Sequence, residues 1–312
     1  MFSPKSLISV NLKTSQGLEE SKEFFQELLL ERGFSVSALN NYLNCPWRFF
    51  YRNLLLLPDV KTKSLIFGSS IHKAISVYIR NSKFKEVDEE FLINAYKNAL
   101  QKEIAGGVDF DELLNKGEKV LRSFYTDQII NWSTDLISEL YIKGVQLSDK
   151  VVLNGMIDLI EPTKKINEMI VYDFKTGKPK TRAEIEGTTA NSSGDYMRQL
   201  VFYKILLDRY HQGKMKMTQG GIIFVEPDTK GKFKKEIFEI TPSQTKVLED
   251  QIKSVASEIL NLDFWERRCD DRDCEYCKLR DVMGDGEKID EVVIKKKVKV
   301  TTSNTNMLPL EL

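Results

Sequence analysis

Val171-Tyr172-Asp173-Phe174-Lys175-Thr176-Gly177 decides the reading of this chain, together with Gly155-Met156-Ile157-Asp158-Leu159-Ile160 just upstream. The wider stretches 150–161 and 168–175 are together rich in Val, Ile and Tyr, and the polar Pro162-Thr163-Lys164-Lys165 separates them. This is the pattern of a β-hairpin over 150–161 and 168–175. In a strand, residues i and i+2 share a face, so Asp173 and Lys175 point together while Phe174 points into the core. A turn centred near Lys165 and Ile166 places Asp158 opposite Asp173. Two adjacent carboxylates repel, and burying them among Ile, Val and Leu is costly unless a cation lies between them. Oxygen ligands suit a hard ion such as Mg²⁺ or Mn²⁺. The competing reading puts both acids and Lys175 on a solvated sheet face. Against it, both acids interrupt apolar strands, and Gly177-Lys178-Pro179-Lys180 follows with charge suited to a phosphate.

Outward from the hairpin, the chain reads mainly as helices before it and mixed elements after it. A helix is expected over Leu18–Arg32, ending at Gly33. Ser37 caps another through Leu39, Tyr42 and Leu43, which Pro46 interrupts and restarts as far as Leu55. Ser69 or Ser70 caps a helix bearing Ile71, His72, Ile75, Tyr78 and Ile79, with His72 in its first turn. Two long helices are expected over 86–103 and 110–141. Downstream, Gly194–Tyr210 has a helical period. It places Gln199 and Tyr203, four residues apart, on one face. Residues 220–226 and 233–241 form a second strand pair, and a helix capped by Thr241 or Ser243 runs to Leu262. Residues 284–312 read as a strand fragment or a tail. His211 closes a helix, where its charge would meet the helix dipole.

The 312 residues carry 46 Lys and Arg against 46 Asp and Glu, with 41% hydrophobic and 29% charged residues. This is the composition of a globular chain, neither disordered nor fibrous. No apolar run is long enough to span a bilayer, and the N-terminus lacks a secretory apolar core, so the expectation is a cytoplasmic protein without membrane contact. Zero net charge excludes a bulk polycation but leaves local basic patches open.

Four cysteines, Cys45, Cys269, Cys274 and Cys277, are too few for a disulfide framework in so long a chain. The C-x4-C-x2-C triplet suggests a metal or cluster site. Structural Zn²⁺ held by four thiolates and an iron–sulfur cluster both fit. If Cys45 joins the triplet, the centre ties the N-terminal helix to the C-terminal segment, and its binding energy becomes folding energy.

Taken in order, Gly68-x-x-x-His72, Gly155-x-Ile157-Asp158, Asp173-Phe174-Lys175-Thr176-Gly177 and Gln199-x-x-x-Tyr203 resemble a nuclease of the PD-(D/E)XK superfamily, RecB-like type. The opening Ser35–Pro46 resembles its iron–sulfur, AddB-type subgroup. The resemblance implies an α/β, restriction-endonuclease-like core, a mixed central sheet flanked by helices, with a helical insertion and a C-terminal Cys-rich staple. By the same resemblance His72, Asp158, Asp173 and the carbonyl of Phe174 bind catalytic Mg²⁺ or Mn²⁺. Lys175 orients or activates the attacking water, Gln199 and Tyr203 support the site, and the four cysteines hold one [4Fe–4S] cluster, with Zn²⁺ as the alternative. The implied division is an N-terminal extension or linker remnant (1–33), a nuclease domain (34–283) and a tail (284–312). Within the domain come a helical part (about 34–149), a catalytic core (about 150–262) and a cluster loop (263–283).

The activity implied is metal-dependent hydrolysis of DNA phosphodiesters, as an exonuclease on ends or single strands. It could form the nuclease part of a helicase–nuclease in repair or recombination. The chain has no G-x-x-x-x-G-K-[ST], so the motor would be a fused or separate helicase. Expected DNA contacts are Arg48 and Arg52, then Lys178, Lys180 and Arg182, then Lys230, Lys232, Lys234 and Lys235. A non-catalytic DNA-binding iron–sulfur clamp is the alternative from another class.

Overall fold

The computed structural model describes residues 15–58, 61–103 and 110–285. The first part of the expected N-terminal extension and most of the C-terminal tail lie outside these residues. One five-stranded sheet organises the rest. Its strands are β1 (Ile137–Ser148), β2 (Val151–Pro162), β3 (Glu168–Lys175), β4 (Lys216–Phe224) and β5 (Lys235–Glu239), adjacent in that order. Only the β3–β4 pair is parallel, so the sheet is mixed. The β2–β3 hairpin has the expected register, with Ile160 opposite Val171 and Leu159 opposite Tyr172. One further step brings Asp158 level with Asp173.

The central strands are buried on both faces, as a parallel pair requires. Along β4 and the residue after it, Ile222 and Phe224 enter one core while Ile223 and Val225 enter the other. The first core holds α1 (Ser15–Arg32), α2 (Val36–Asn44), α3 (Pro46–Phe49), α8 (Asp195–Arg209) and α9 (Pro242–Leu260). The second holds α4 (Lys63–Ser82), α5 (Glu89–Glu103) and α6 (Phe110–Asp127). A short α7 (Arg182–Glu186) and α8 make the crossover that parallel strands need. The chain ends its described part in α10 (Glu275–Asp285).

Three expectations are corrected. The stretch expected as helix over 110–141 stops at Asp127, and β1 begins at Ile137. Leu, Ile and Glu in that segment suit either period, and pairing with β2 overrides local preference. The α4 helix is capped by Thr62, whose side chain accepts from the Leu65 N–H, rather than by Ser69 or Ser70. Ser70 is instead in the core, and His72 lies mid-helix. Ser35, not Ser37, caps α2, and the last turn before Leu55 is a π turn, Phe50–Leu54. Carbonyls of this turn are taken up by Arg32 of α1, which donates to Asn53 O at 3.1 Å and also to Leu54 O.

α1 adds Phe24, Phe25, Leu28 and Leu29 to the first core. It is tied to the sheet by Asn154, which is 5% exposed. The Asn154 amide donates to Arg32 O and its carbonyl accepts from Gly144 N–H at 2.8 Å. Asn154→Ala strands both groups in the interior, which costs about 1–3 kcal/mol. Thermal unfolding should show a correspondingly lower Tm, whereas an unchanged Tm would mean that the docking of α1 does not need this bridge.

Candidate active site and four-cysteine centre

β3 carries Asp173 and Lys175 to the carboxyl end of the parallel pair, and α8 lies across them. Asp173 is 1% exposed. Its Oδ1 accepts from Gln199 Nε2 at 2.6 Å and from Tyr203 Oη at 3.0 Å. Gln199 Nε2 also donates to Tyr203 Oη at 2.7 Å, so the expected i, i+4 pair forms one unit. Lys175 Nζ lies 2.7 Å from Asp173 Oδ2 and donates to Gln199 Oε1 at 2.7 Å. The Oδ2 approach is an ion pair outside hydrogen-bond geometry, which leaves that buried oxygen without a hydrogen bond.

Asp158 sits just past the last β2–β3 pair. Its Oδ2 takes the Phe174 N–H at 3.0 Å, a side chain standing in for a ladder acceptor. The same oxygen lies 3.3 Å from His72 Nδ1. The His72 ring meets Phe174 edge-on at 5.9 Å, and Trp132 stacks on Phe174 at 6.0 Å. α4 reaches the strand end because Gly68 passes close to Thr176. A Cβ there would lie 2.9 Å from Thr176 Oγ1, which explains a glycine one turn before His72.

Charge coupling follows from this packing. Burial pushes Asp173 above the usual carboxylate range, and Lys175 only partly offsets it. Burial also works against charge on Asp158, but the hydrogen bond and charge of His72 outweigh it and hold Asp158 low. His72 and Lys175 are both raised. Burial opposes their charge, and Asp158 and Asp173 respectively overcome it. Burial pushes Tyr203 well above its ordinary value, so it remains a donor. A divalent ion fits this donor set. Asp173 Oδ2 is buried and faces the Lys175 ammonium, Asp158 and His72 couple to Asp173 by charge, and carboxylate oxygens suit Mg²⁺ or Mn²⁺.

The basic residues divide. Lys178 and Lys180 are exposed on the loop leaving β3, and Lys180 lies over the Tyr196 ring. Arg182 pairs with Glu186 and Glu236, Lys234 donates to Lys180 O at 2.6 Å, and Lys235 lies over Tyr172, so these three serve internal contacts. Lys230 and Lys232 are exposed in the β4–β5 turn, where their backbone N–H groups bond Asp228. Arg48 lies over Tyr276 beside the cysteines, and Arg52 is in the π turn, away from Asp173 in the chain. Trp47, Phe49, Phe50 and Tyr51 are buried and are core residues, not an exposed platform. His211 stands in a left-handed turn after α8, outside the site. Sequence reasoning missed Tyr196, whose ring lies 4.6 Å from Lys175 Nζ. Its position three residues before Gln199, on the same helix face, was the available signal.

The second centre joins both ends of the described chain. The ligand atoms of Cys45, Cys269, Cys274 and Cys277 all lie within 4.8 Å of one another. Cys45 and Cys277 are 232 positions apart, with sulfurs 3.7 Å apart. Cys45 breaks the chain between α2 and α3, and Cys277 is in the first turn of α10 rather than in a loop. Burial pushes the Cys45 thiol up. Burial also opposes ionisation of Cys274, but hydrogen bonds from the Cys277 N–H, the Cys269 and Cys45 side chains and the Tyr276 N–H prevail and lower it. Trp47 reinforces the junction by packing on Phe264 and Trp265 and donating to Arg267 O at 2.9 Å.

The family model described as the PD-(D/E)XK nuclease superfamily matches residues 33–282. The chain belongs to that superfamily. A solved structure of a proposed exonuclease from Eubacterium rectale is similar over 94% of this chain and 97% of that one, with 11% identity and a TM-score of 0.53. At that identity the likeness shows the fold. A second structure, of SSO0001, covers 76% of this chain and 86% of that one at 12% identity and a TM-score of 0.29. No curated protein matches the chain. Members of the superfamily are hydrolytic nucleases that use divalent metals. Among the described residues, no helix is long and apolar enough to cross a membrane.

Cys45→Ser should lose metal from the four-cysteine centre and release a very long loop, lowering Tm by roughly 10 °C. Metal analysis and thermal melts check both effects together. Unchanged metal content with an unchanged melt would contradict a structural staple.

Proposed function

We propose that this chain is a Mg²⁺- or Mn²⁺-dependent deoxyribonuclease that removes nucleotides from DNA ends or single strands. The observation that carries the reading is Asp173, a buried carboxylate with one oxygen lacking a hydrogen bond, beside Asp158, His72 and an ion-paired Lys175. The exonuclease description of the Eubacterium rectale neighbour supports the mode of cutting.

His72, Asp158, Asp173 and the Phe174 carbonyl would hold the ion. Bound there, it would lower the pKa of water and offset charge on the phosphate. The protein's own groups do the rest. Lys175 keeps its proton, because Asp173 raises its pKa against the effect of burial. It would therefore orient the attacking water and donate to the phosphate oxygen on which charge develops. Gln199 holds Lys175 and Asp173 at once, which limits the ammonium to one orientation. Tyr203 donates to Asp173 and orients the carboxylate. Phe174 N–H fixes Asp158, and Asp158 fixes His72.

Lys178 and Lys180 would take the strand leaving the site, and Lys230 and Lys232 form a second exposed basic turn. Arg48 and Arg52 would extend the path toward the cysteines. A helicase, fused or separate, would supply the single strand.

For the four-cysteine centre the family resemblance implies [4Fe–4S]. The shortest sulfur separations, 3.6–3.7 Å, match the edge of a tetrahedron around one zinc ion, about 3.8 Å for Zn–S bonds near 2.3 Å. A cubane places an iron under each thiolate and needs the sulfurs to spread. We propose the cluster as the resident group on the strength of the cysteine pattern, against the sulfur spacing, which by itself favours a single zinc ion. Iron and acid-labile sulfide in the purified protein would bear this out, and one zinc per chain without either would replace it.

The main test is degradation of end-labelled single- and double-stranded DNA with Mg²⁺ or Mn²⁺. Lys175→Ala should lose about 10²–10³-fold in rate, and Asp173→Ala should lose at least as much. Equal rates in wild type and variants, or DNA binding without cleavage in any of them, would support the clamp instead.

A further inference from the structure

Tyr196, in the first turn of α8, has two ammonium groups against one half-buried ring. Lys175 Nζ lies 4.6 Å from the ring centroid and Lys180 Nζ lies 4.4 Å from it. The two charges are therefore at most 9.0 Å apart. The two lysines are held differently. Lys175 is held by Asp173 and Gln199. The backbone of Lys180 is pinned on both sides. Its carbonyl accepts from Lys234 Nζ, and the next residue, Thr181, closes a capping box with Glu184. The ring itself rests against Phe224 at the end of β4, with centroids 6.4 Å apart. An aromatic face attracts cations, so the ring lowers the cost of holding two like charges this close.

A strand carries a phosphate at every nucleotide, so two cations no more than 9.0 Å apart are close enough to meet neighbouring phosphates of one strand. We propose that Tyr196 is a positioning residue. Its ring sets the spacing of Lys175 and Lys180 so that they engage the phosphate to be cut and a neighbouring phosphate on one strand. This rests on the nuclease reading. It adds a defined phosphate subsite at Lys180 and a role for a residue outside the matched motifs.

The test compares Tyr196→Leu, Tyr196→Phe, Lys180→Ala and a series of fluorinated phenylalanines at position 196. It measures single-strand binding by anisotropy across a salt series in chelator, and cleavage with Mn²⁺. Loss of one phosphate contact lowers the slope of log affinity against log salt by about 0.7. Lys180→Ala and Tyr196→Leu should each show that drop, and Tyr196→Leu should also lose about tenfold in kcat/KM. Tyr196→Phe should restore most of both. Increasing fluorination should then erode them in steps, at constant Tm, because it weakens the ring's attraction for cations without changing its shape. A neutral methylphosphonate beside the cut should slow the wild type to the level of Lys180→Ala and leave Lys180→Ala unaffected.

Wild-type slope and rate in Tyr196→Leu, or fluorinated rings equal to phenylalanine, would overturn the inference while leaving nuclease activity standing. Slopes that change as expected in a protein that never cuts DNA would retain the phosphate pair and overturn the nuclease reading.

Discussion

The burial of Asp173 is the constraint on which the rest of the site depends. A carboxylate at 1% exposure between two apolar cores needs donors and cations around it. Each neighbour answers that need in a different way. Gln199 and Tyr203 supply hydrogen bonds to one oxygen, and Lys175 supplies charge to the other. These partners come from α8 and from β3 itself, so the crossover that makes β3 and β4 parallel also assembles the site. On the other face, α4 reaches Asp158 where Gly68 lies close to the Thr176 side chain, leaving little room for a Cβ. The geometry of the candidate site is thus a consequence of packing helices on both faces of a strand that carries an acid.

The four-cysteine centre solves a different problem. The sheet is built from residues 137–239, while α2, α3 and α10 lie far from it in the chain. Four cysteine sulfurs come together where these helices meet, and a metal held by them would close a loop whose ends are otherwise costly to bring together. The aromatic cluster of Trp47, Phe264 and Trp265 joins the same two segments. Arg198, beside Gln199 on α8, donates to Asn40 of α2 at 2.7 Å. The helix that ends at Cys45 is therefore in direct contact with the helix that supports Asp173.

Much of this was legible in the sequence because the relevant signals are local. The β2–β3 register followed from the turn position, and the Gln199–Tyr203 face followed from helical spacing. The proximity of Cys45 to the late triplet came from the family resemblance rather than from any local pattern. Errors arose where a tertiary partner decides the local structure. Residues 137–141 carry no preference strong enough to resist helix assignment, and only pairing with β2 makes them a strand. Ser69 and Ser70 have the chemistry of a cap, yet Thr62 starts the helix earlier and leaves Ser70 in the core. Asn154 and Tyr196 were overlooked for a related reason. Their importance lies in partners distant in sequence, Arg32 and Gly144 for one and Lys175 and Lys180 for the other.

The central claim is that Asp158 and Asp173 form a divalent-cation site, and thermal melting against Mn²⁺ concentration tests it without relying on catalysis. An ion that binds only the folded state stabilises it by about 2.7 kcal/mol at a hundred times its dissociation constant. Hard cations have little affinity for the thiolate centre, so the response reports on the carboxylates. The wild-type Tm should rise with Mn²⁺, and both Asp158→Asn and Asp173→Asn should abolish the rise. An equal rise in all three proteins, or none in the wild type, would contradict the assignment of these two carboxylates to a metal.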